Sequence, residues 1–298
     1  MSRDTHVRLA HAALHPDRKR QLIERYGSPG SVLAGIQRGR ISVPPEARDA
    51  AAVPVSARYE LAARLGYRLL VRGDDEYPAG LGPLPDAPDV LFWKGTVPDR
   101  LGVAVVGTRR CTTYGREVAA DFGAALAKAG ANVVSGLAYG IDEAAHRGTV
   151  AAGGTGVAVL GCGIDRWYPR TSADLGARLL ELGGAIVSEY PPGIRPSGWR
   201  FPPRNRIISG LSAVVVIVEA AASGGALITA RYALAQGREV FAVPGDVDRR
   251  SSEGTNRLIR DGAWPVFDAA DLIESAGRVA VIGLAVAADS PVSGSDRT

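Results

Sequence analysis

Short apolar segments between residues 103 and 243 constrain the fold of this 298-residue chain more than any other feature. They are rich in valine, isoleucine and alanine, and amphipathic stretches with helical spacing separate them. Strands that do not alternate apolar with polar residues are buried on both faces, as in parallel sheets covered by helices. The segments are residues 103–106, 133–135, 157–160, 185–188, 213–218 and 240–243. They predict an α/β fold with an extended Rossmann-like, doubly wound, mostly parallel sheet.

The N-terminal part of the chain shows a different pattern, in which helical spacing predominates. Residues 6–14, 17–26 and 55–65 have this spacing, whereas Gly27-Ser28-Pro29-Gly30 is interpreted as a break and Pro44-Pro45 as part of a linker. We therefore predict a small helical module over residues 1–66. The sheet domain is expected over residues 67–275, with extended stretches at 67–72 and 91–94, and a disordered, small-residue tail over 276–298.

Composition and cysteine content indicate the kind of cellular compartment in which the protein is expected. The chain is 46% hydrophobic, which supports a globular core, and its net charge of +4 permits a polyanionic partner without requiring one. Two cysteines without paired Cys/His spacing are typical of a reducing compartment and predict no metal site. The first residues contain no apolar signal segment, and the apolar run 279–288 is too short to cross a bilayer. We expect a cytoplasmic protein without membrane contact.

The loops that follow the predicted strands are rich in glycine. In open parallel sheets, ligands bind at the carboxyl ends of strands, where loops lead into helix N-termini. Glycines there allow backbone N–H groups to approach an anion, although turn geometry alone also favours glycine. The loops are 107–110, 135–142, 161–163, 188–190, 219–225 and 244–246, and arginines at 109, 110, 204 and 206 are expected nearby. Together they favour an anionic ligand.

The segment around residues 200–206 combines arginines with an aromatic ring. Guanidinium groups beside an aromatic side chain suit a phosphate together with a stacked base, as in single-stranded nucleic acid. Two alternatives stay open. Phe201 could be a core residue packed on the neighbouring prolines, and Arg204 and Arg206 could pair with Glu189 and Glu219 instead of facing a ligand.

Other nucleotide and catalytic motifs are incomplete. The fingerprint G-x-G-x-x-G begins at Gly161-Cys162-Gly163, but residue 166 is arginine, and the chain has no lysine after Lys128 for a P-loop. No G-x-S-x-G motif occurs, and His146 is interpreted as a packing or capping residue that could bond Asp142. The sequence therefore predicts no cofactor and no catalytic residue.

An ordered series of motifs over about residues 70–268 resembles the bacterial DNA-processing protein A family, also called DprA or Smf. The motifs are 107–109 with 114–115, 134–138 with 140–142 and 145–146, 168–169, 188–191, 201–202 with 204–208, 223–224 with 227–230, 237–238, 243–245 and 254–256. A single one of them would be weak, but their shared order makes the resemblance specific.

The resemblance implies a basic pocket that binds single-stranded DNA. Arg109, Arg204 and Arg206 would contact phosphate, and Phe201 and Asn205 would line the same pocket. The full set of candidate DNA-binding residues is Arg109, Arg110, Ser135, Gly136, Phe201, Arg204, Asn205, Arg206, Ser223, Gly224 and Gly225. The resemblance also implies that the protein protects incoming strands and loads the RecA recombinase during natural transformation, that it forms a homodimer, and that residues 1–66 resemble a sterile-alpha-motif domain.

Two departures from the family pattern stand out. Tyr139 occupies a loop position where an arginine is frequent in the family, which removes one possible phosphate contact. Many relatives also carry a C-terminal winged-helix module, and no pattern for one is evident here.

Two other readings of the sequence compete with this one. The first is an enzyme of the phosphoribohydrolase type, which uses a P-G-G-x-G-T-x-x-E loop. Ser223-Gly224-Gly225 is similar to the start of that loop, but position 231, where its glutamate would fall, is arginine. The second is a structural partner protein whose arginines are all paired internally.

Overall fold

The computed structural model describes residues 2–99 and 102–288, with side chains through residue 279. The strands in chain order are β1 (Arg68–Val71), β2 (Val90–Gly95), β3 (Gly102–Val106), β4 (Asn132–Ser135), β5 (Gly156–Leu160), β6 (Ala185–Ser188), β7 (Val214–Ile217), β8 (Glu239–Ala242) and β9 (Trp264–Pro265). The α-helices are α1 (Arg3–His11), α2 (Pro16–Tyr26), α3 (Pro29–Gln37), α4 (Pro45–Ala52), α5 (Val55–Leu65), α6 (Thr113–Lys128), α7 (Ile141–Ala151), α8 (Ala173–Glu181), α9 (Phe201–Gly210), α10 (Ala226–Ala235), α11 (Glu253–Arg260) and α12 (Ala269–Ala288).

The strands form a single mixed sheet in the order β1-β2-β6-β5-β4-β3-β7-β8-β9. The seven neighbouring strands β6-β5-β4-β3-β7-β8-β9 pair in parallel, whereas β2 is antiparallel to both β1 and β6. The chain winds outward from β3 in one direction through β4 and β5, and in the other through β7 and β8. This reversal beside β3 is the switch point at which open α/β sheets bind ligands. The predicted fold class is confirmed.

Each of the six predicted core strands agrees with the structure to within one residue at either end. The agreement follows from their burial, because β3, β4, β5, β6 and β7 lie wholly inside the protein. A strand covered on both faces must be apolar along its whole length, so its sequence is easy to recognise. The extended stretches 67–72 and 91–94 become β1 and β2.

Two N-terminal helices correct the sequence prediction. Residues 29–37 form α3 and residues 45–52 form α4, where a break and a linker were expected. Proline suits the first turn of a helix because the N–H that it lacks has no partner there. The Ser28 hydroxyl accepts a hydrogen bond from the Ser31 N–H at 3.1 Å and so caps α3.

The C-terminal helix also differs from expectation. Helix α12 continues from Ala269 to Ala288, so the predicted start of a disordered tail at residue 276 is wrong. Leu272 and Ala276 are buried against the sheet, which explains why the helix forms there. Residues 289–298 lie outside the described part of the chain.

Separate apolar clusters cover the two faces of the sheet. On one face, alternate strand residues pack with α9, α10 and the segment that contains Tyr77 and Leu81. On the other, α6, α7 and α12 cover β3, β4, β7 and β8, and α1, α5 and α8 cover β1, β2, β5 and β6. Layers of helix on both faces leave the carboxyl ends of the parallel strands as the open edge.

The N-terminal helices have their own core and also pack on the sheet. Val32, Leu33 and Ile36 of α3 pack with Leu9 of α1 in a cluster of their own. The opposite side of α1 contributes Val7 to the cluster that contains strand β2. The helical module at 1–66 therefore shares core with the sheet, and its treatment as a separate domain stays a prediction.

No α-helix within residues 2–99 and 102–288 combines the length and apolar character needed to cross a membrane.

Candidate functional site

A cavity of about 570 Å³ opens at the carboxyl ends of the parallel strands, beside the switch point at β3. The loop after β3, the turn before α7, the start of α9 and the start of α10 form its walls. Its lining residues are Val106, Gly107, Thr108, Arg109, Arg110, Ala138, Asp142, Tyr168, Pro196, Ser197, Gly198, Phe201, Pro202, Arg204, Asn205, Ile208, Gly225, Ala226, Ile228 and Thr229. We call this space the cavity.

Two exposed arginines and an aromatic ring stand at the mouth of the cavity. Arg109 and Arg110 follow β3, and neither forms an ion pair with a carboxylate in the part of the chain that the structure describes. The Arg109 guanidinium lies over the Phe201 ring, 4.7 Å from its centroid. Tyr168 extends the aromatic surface, with its ring centroid 5.3 Å from that of Phe201. Phe201 therefore faces the cavity instead of serving only as a core residue.

Arg204 forms the floor of the cavity and is buried. Its Nη1 donates to the Gly136 carbonyl at 2.9 Å and to the Val159 carbonyl. Its Nε donates to Oδ1 of Asn205 at 3.1 Å. Burial lowers the pKa of Arg204 to about 10, so the group stays charged at neutral pH. Only one edge of this guanidinium remains to face a ligand.

Asp142 lies beside Arg204 at the bottom of the cavity. Its Oδ2 accepts a hydrogen bond from the Gly136 N–H at 3.0 Å. Burial raises the pKa of Asp142, and the neighbouring Arg204 and Arg109 charges oppose that rise. The floor therefore holds a guanidinium beside a carboxyl group, whereas Arg109 and Arg110 at the rim form no ion pair with a carboxylate among the described residues.

Arg206 is placed differently from the sequence expectation. It lies on the far side of α9, outside the cavity, and its Nη2 is 2.9 Å from Oε2 of Glu189. Lys19 of α2 completes the arrangement, with Nζ 3.3 Å from Oε1 of Glu189 and 3.2 Å from Asp89. We call Lys19, Asp89, Glu189 and Arg206 the buried charge cluster. The expectation that Arg206 lines the pocket with Phe201 is wrong, and the alternative of pairing with Glu189 is correct for this residue.

Neighbouring carboxylates keep Lys19 and Arg206 of the buried charge cluster in their charged forms. Although burial acts against the charged forms, Glu189 raises the pKa of both Arg206 and Lys19, and Lys19 lowers the pKa of Asp89. Arg206 also donates to the carbonyls of Asp86, at 2.8 Å, and of Pro203, at 3.1 Å. Each of the three guanidinium nitrogens of Arg206 therefore already contacts a protein acceptor.

Several glycines of the strand-end loops make room for side chains and not for a ligand. A Cβ atom on Gly136 would stand 2.3 Å from the Arg204 guanidinium, and one on Gly161 would stand 2.7 Å from the Phe201 ring. Ser135 is fully buried, and its hydroxyl donates to the Val105 carbonyl at 2.7 Å. Ser135 and Gly136 therefore support the floor from behind and do not line the cavity. The prediction that the backbone of Ser135 and Gly136 approaches an anion in this cavity is therefore not met.

The start of α10 supplies backbone donors on the opposite wall. Gly225 and Ala226 line the cavity, and the space above Gly225 is open. The first N–H groups of a helix lack partners within it and favour anions. Ser223 and Gly224 lie in the preceding turn, outside the lining residues, although Ser223 is exposed. The Asn205 amide donates to the Gly225 carbonyl at 3.3 Å and ties α9 to this wall.

Two titratable groups near the sheet take structural roles. His146 is fully buried in α7, and burial lowers its pKa to about 4, so it remains neutral. Glu219 follows β7 and accepts hydrogen bonds from the Thr112 N–H, at 2.9 Å, and the Thr112 hydroxyl. Thr112 caps α6 by accepting a hydrogen bond from the Gly115 N–H at 3.0 Å, and Glu219 holds this capping residue in place. The expected pairing of Glu219 with an arginine is not found within residues 2–99 and 102–288.

Sequence reasoning missed three residues that the structure brings to these regions. Asp142 and Tyr168 stood in the recognised motifs but were not among the candidate site residues, and Lys19 carried no motif at all. Asp142 could have been found, because it follows a strand-end glycine loop at the start of a helix. Lys19 could not, because its carboxylate partners lie in distant parts of the chain.

The fold and site define a class: a doubly wound α/β protein with a cationic, aromatic-lined cavity at the switch point of its sheet. Residues 68–277 match the family model described as DNA recombination-mediator protein A. The chain is 45% identical over 209 residues to protein Smf of Escherichia coli, covering 69% of this chain and 56% of that protein. The chain belongs to the DNA-processing protein A family.

Further relatives agree in sequence and in structure. The chain is 43% identical over 237 residues to a putative DNA processing protein DprA of Mycobacterium tuberculosis, covering 74% of this chain and 60% of the relative. The DNA processing protein A structure of Streptococcus pneumoniae superposes with a TM-score of 0.70 at 30% identity, over 92% of this chain and 98% of that one. A Helicobacter pylori structure, described by its single-stranded DNA binding mode, gives a TM-score of 0.63 at 30% identity, over 70% and 94%. The matches span only 56–60% of the length of the first two relatives.

Proposed function

We propose that this chain binds single-stranded DNA at the cavity. The observation that carries the proposal is the pair of exposed, unneutralised arginines, Arg109 and Arg110, beside the Phe201 ring at the open edge of the sheet. Phosphate neutralisation by guanidinium groups and stacking of bases on aromatic rings are the two contacts that bind single strands without sequence preference. The Helicobacter pylori relative, whose structure was described for its single-stranded DNA binding, supports the same ligand.

The geometry suggests how the contacts divide. Arg109 and Arg110 at the rim, with Gly225 and Ala226 at the start of α10, bind phosphate groups. Phe201 and Asn205 contact the nucleotide that enters the cavity. Arg204 faces this nucleotide with one edge, while Ser135 and Gly136 act only by holding Arg204 and Asp142. Arg206, Ser223 and Gly224 are not part of this binding site.

We further propose a role in recombination. The chain would protect incoming single strands and load the RecA recombinase onto them during natural transformation, as a homodimer, in the cytoplasm and without catalysing a reaction. Membership of a family described as a recombination mediator supports this role. Relatives named DNA processing protein DprA in Bacillus subtilis and Streptococcus pneumoniae support the connection with DNA processing.

The first experiment is fluorescence anisotropy of labelled oligo-dT over a salt series, with duplex DNA as competitor. We expect preferential binding of the single strand, with a log-log salt slope of roughly −0.7 for each phosphate neutralised. Phe201→Leu should weaken binding by about fivefold or more, since stacking on an aromatic ring contributes about 1–3 kcal/mol per base. Absence of binding at low salt would contradict the proposal.

Recombinase loading and assembly need separate measurements. RecA filament formation on strands covered by single-strand binding protein should be faster with the protein than without it, and sedimentation should give a dimer. An unchanged rate, with single-strand binding intact, would remove the mediator role but not the DNA-binding role.

Asp142 is the observation that favours an enzymatic alternative. A buried carboxyl group with a raised pKa inside a cavity is a recurrent feature of catalytic acids and bases. Its Oδ2 already accepts the Gly136 N–H, and position 231, where phosphoribohydrolase-like enzymes carry a glutamate, is an exposed arginine. Incubation with nucleoside monophosphates should therefore release no free base; release would establish the alternative.

A further inference from the structure

An aromatic surface continues out of the cavity beyond Phe201. Tyr168 lies at the rim with 40% of its surface exposed, and Tyr139 lies next to the lining residue Ala138 with 49% exposed. Both side chains are therefore accessible; Tyr168 lines the cavity itself, whereas Tyr139 follows a lining residue in the chain. Large exposed aromatic side chains at the edge of a cationic cavity are the stacking surfaces that single-strand-binding proteins use.

The loop that carries Tyr139 is held rigidly. Leu137 is fully buried and has a positive φ of 55°, so the chain leaves β4 through an anchored, left-handed residue. Gly140 has φ of 84°, and a Cβ there would stand 2.4 Å from the Thr108 carbonyl oxygen. The loop is thereby packed against the segment that carries Arg109. Residues flanked by such anchors are pre-organised, which reduces the entropy lost on binding.

A hydrogen bond links Tyr139 with the segment that carries Tyr168. The Thr171 hydroxyl donates to the Tyr139 hydroxyl at 3.4 Å, and Thr171 lies three residues after Tyr168 in an exposed turn. Tyr168 in turn packs on Phe201. Phe201 is thus joined to Tyr168 by ring packing, and the segment of Tyr168 is joined to Tyr139 through Thr171.

We infer that Tyr139 and Tyr168 form a stacking platform for the next base of the strand whose first nucleotide occupies the cavity. This inference rests on the proposed function and names the direction in which the strand leaves. The platform contributes affinity only for oligonucleotides long enough to reach beyond the cavity.

The test compares thymidine oligonucleotides of increasing length, from a single nucleotide, which reaches only the cavity, upward to the site sizes of about 4–16 nucleotides known for single-strand binders. Tyr139→Leu should leave the affinity for the shortest oligonucleotide unchanged and weaken that for the longer ones by about fivefold or more. Tyr168→Leu should weaken the longer ones at least as much. Tyr114→Leu is the matched control, since Tyr114 is 50% exposed and does not line the cavity.

A second variant separates stacking from charge. Tyr139→Arg should remove quenching of a 2-aminopurine base placed next to the cavity-bound nucleotide, and should steepen the salt slope by roughly 0.7. Equal binding of every length by Tyr139→Leu and wild type would overturn the platform while leaving the cavity proposal intact. Failure of the wild-type protein to bind any oligonucleotide would overturn the proposed function, and the platform with it.

Discussion

Helix α9 separates two regions that contain positively charged side chains in opposite environments. On one side lies the cavity, where Arg109 and Arg110 carry no paired carboxylate among the described residues and remain exposed. On the other side lies the buried charge cluster, where Lys19 and Arg206 face Asp89 and Glu189 at 2.9–3.3 Å. The two positive and two negative groups of the cluster balance one another.

Positive charge in this protein therefore serves two distinct purposes. An exposed guanidinium without a partner keeps its attraction for a phosphate, whereas a buried one must be compensated because desolvation of a charge is costly. Arg206 shows the second case, since only 5% of its surface is exposed. The cluster also connects α2 of the N-terminal helices with α9, which carries Phe201 and Arg204 into the cavity.

Removing Arg206 from the buried charge cluster should strongly destabilise the protein. Arg206→Met keeps the aliphatic stem but leaves Glu189 without its closest partner, so the free energy of unfolding should fall by about 3–5 kcal/mol. Urea denaturation measures this loss. Arg178→Met is the control, because its exposed pair with Glu181 should contribute less than about 1 kcal/mol. A loss for Arg206→Met as small as that of the control would show that the cluster is not a closed, compensated region.

The same variant also tests whether Arg206 takes part in DNA binding. The folded Arg206→Met protein should bind oligo-dT with an unchanged salt slope, because Arg206 lies outside the cavity. A slope smaller by roughly 0.7 would mean that Arg206 contacts a phosphate after all.

A smaller loss of stability is expected at the N-terminal side of the cluster. Lys19→Met removes charged contacts to Asp89 and Glu189, but Glu189 keeps Arg206, so the free energy of unfolding should fall by about 2 kcal/mol. The exposed Lys128 of α6 provides the control Lys128→Met. If both variants unfold at the same urea concentration, α2 is not held to the sheet domain by charge.

Removing an arginine at the mouth of the cavity should reduce DNA binding and leave stability nearly unchanged. Arg109→Ala should weaken binding of all single-stranded sequences by about tenfold, or about 1.4 kcal/mol, and reduce the salt slope by roughly 0.7. Its free energy of unfolding should change by less than about 1 kcal/mol, since the lost contact with Phe201 is an exposed cation–π pair. Arg178→Ala serves as the matched surface control for both measurements. A large loss of stability with unaltered binding would reverse the roles of the two regions.

The smallest effect is the pH dependence of the cluster. The raised pKa of Lys19 means that its contribution is complete below its unfolded value and is lost as pH rises through the higher folded value. The lowered pKa of Asp89 means that its contribution is present above its unfolded value and is lost as pH falls through the lower folded value. The destabilisation by Arg206→Met should therefore differ by less than about 0.5 kcal/mol between about pH 5 and about pH 9. A trend within this interval, followed by urea denaturation, would contradict the assigned ionisation.

Local patterns predicted the sheet well and some helices poorly. The core strands were predictable because burial on both faces demands continuous apolar residues, a signal that needs no tertiary information. Helices α3 and α4 were missed because Pro29 was interpreted as part of a break and Pro45 as part of a linker, although each occupies the first turn of its helix, where proline is accepted. The continuation of α12 was missed because its support comes from contact with the sheet.

The candidate site was predicted in part. The motifs placed Arg109, Phe201 and Asn205 at the open edge of the sheet, and the structure brings all three to the cavity. The glycine-rich loops were interpreted as places where the backbone approaches an anion. The space beside Gly136 is instead filled by the Arg204 side chain, and the space beside Gly161 by the Phe201 side chain. Spacing along the chain does not show what fills the volume above a glycine.

The fold class, the family and the concentration of arginines at the ends of the parallel strands could all be read from the amino-acid sequence. Which of these arginines pair with a carboxylate among the described residues became clear from the packing of the helices. Arg204 and Arg206 are two residues apart on α9, and the helical period of 3.6 residues per turn directs them to different sides. Which side meets the cavity and which meets Glu189 depends on how α9 packs between the sheet and α2, because charge compensation acts between groups brought together from distant parts of the chain.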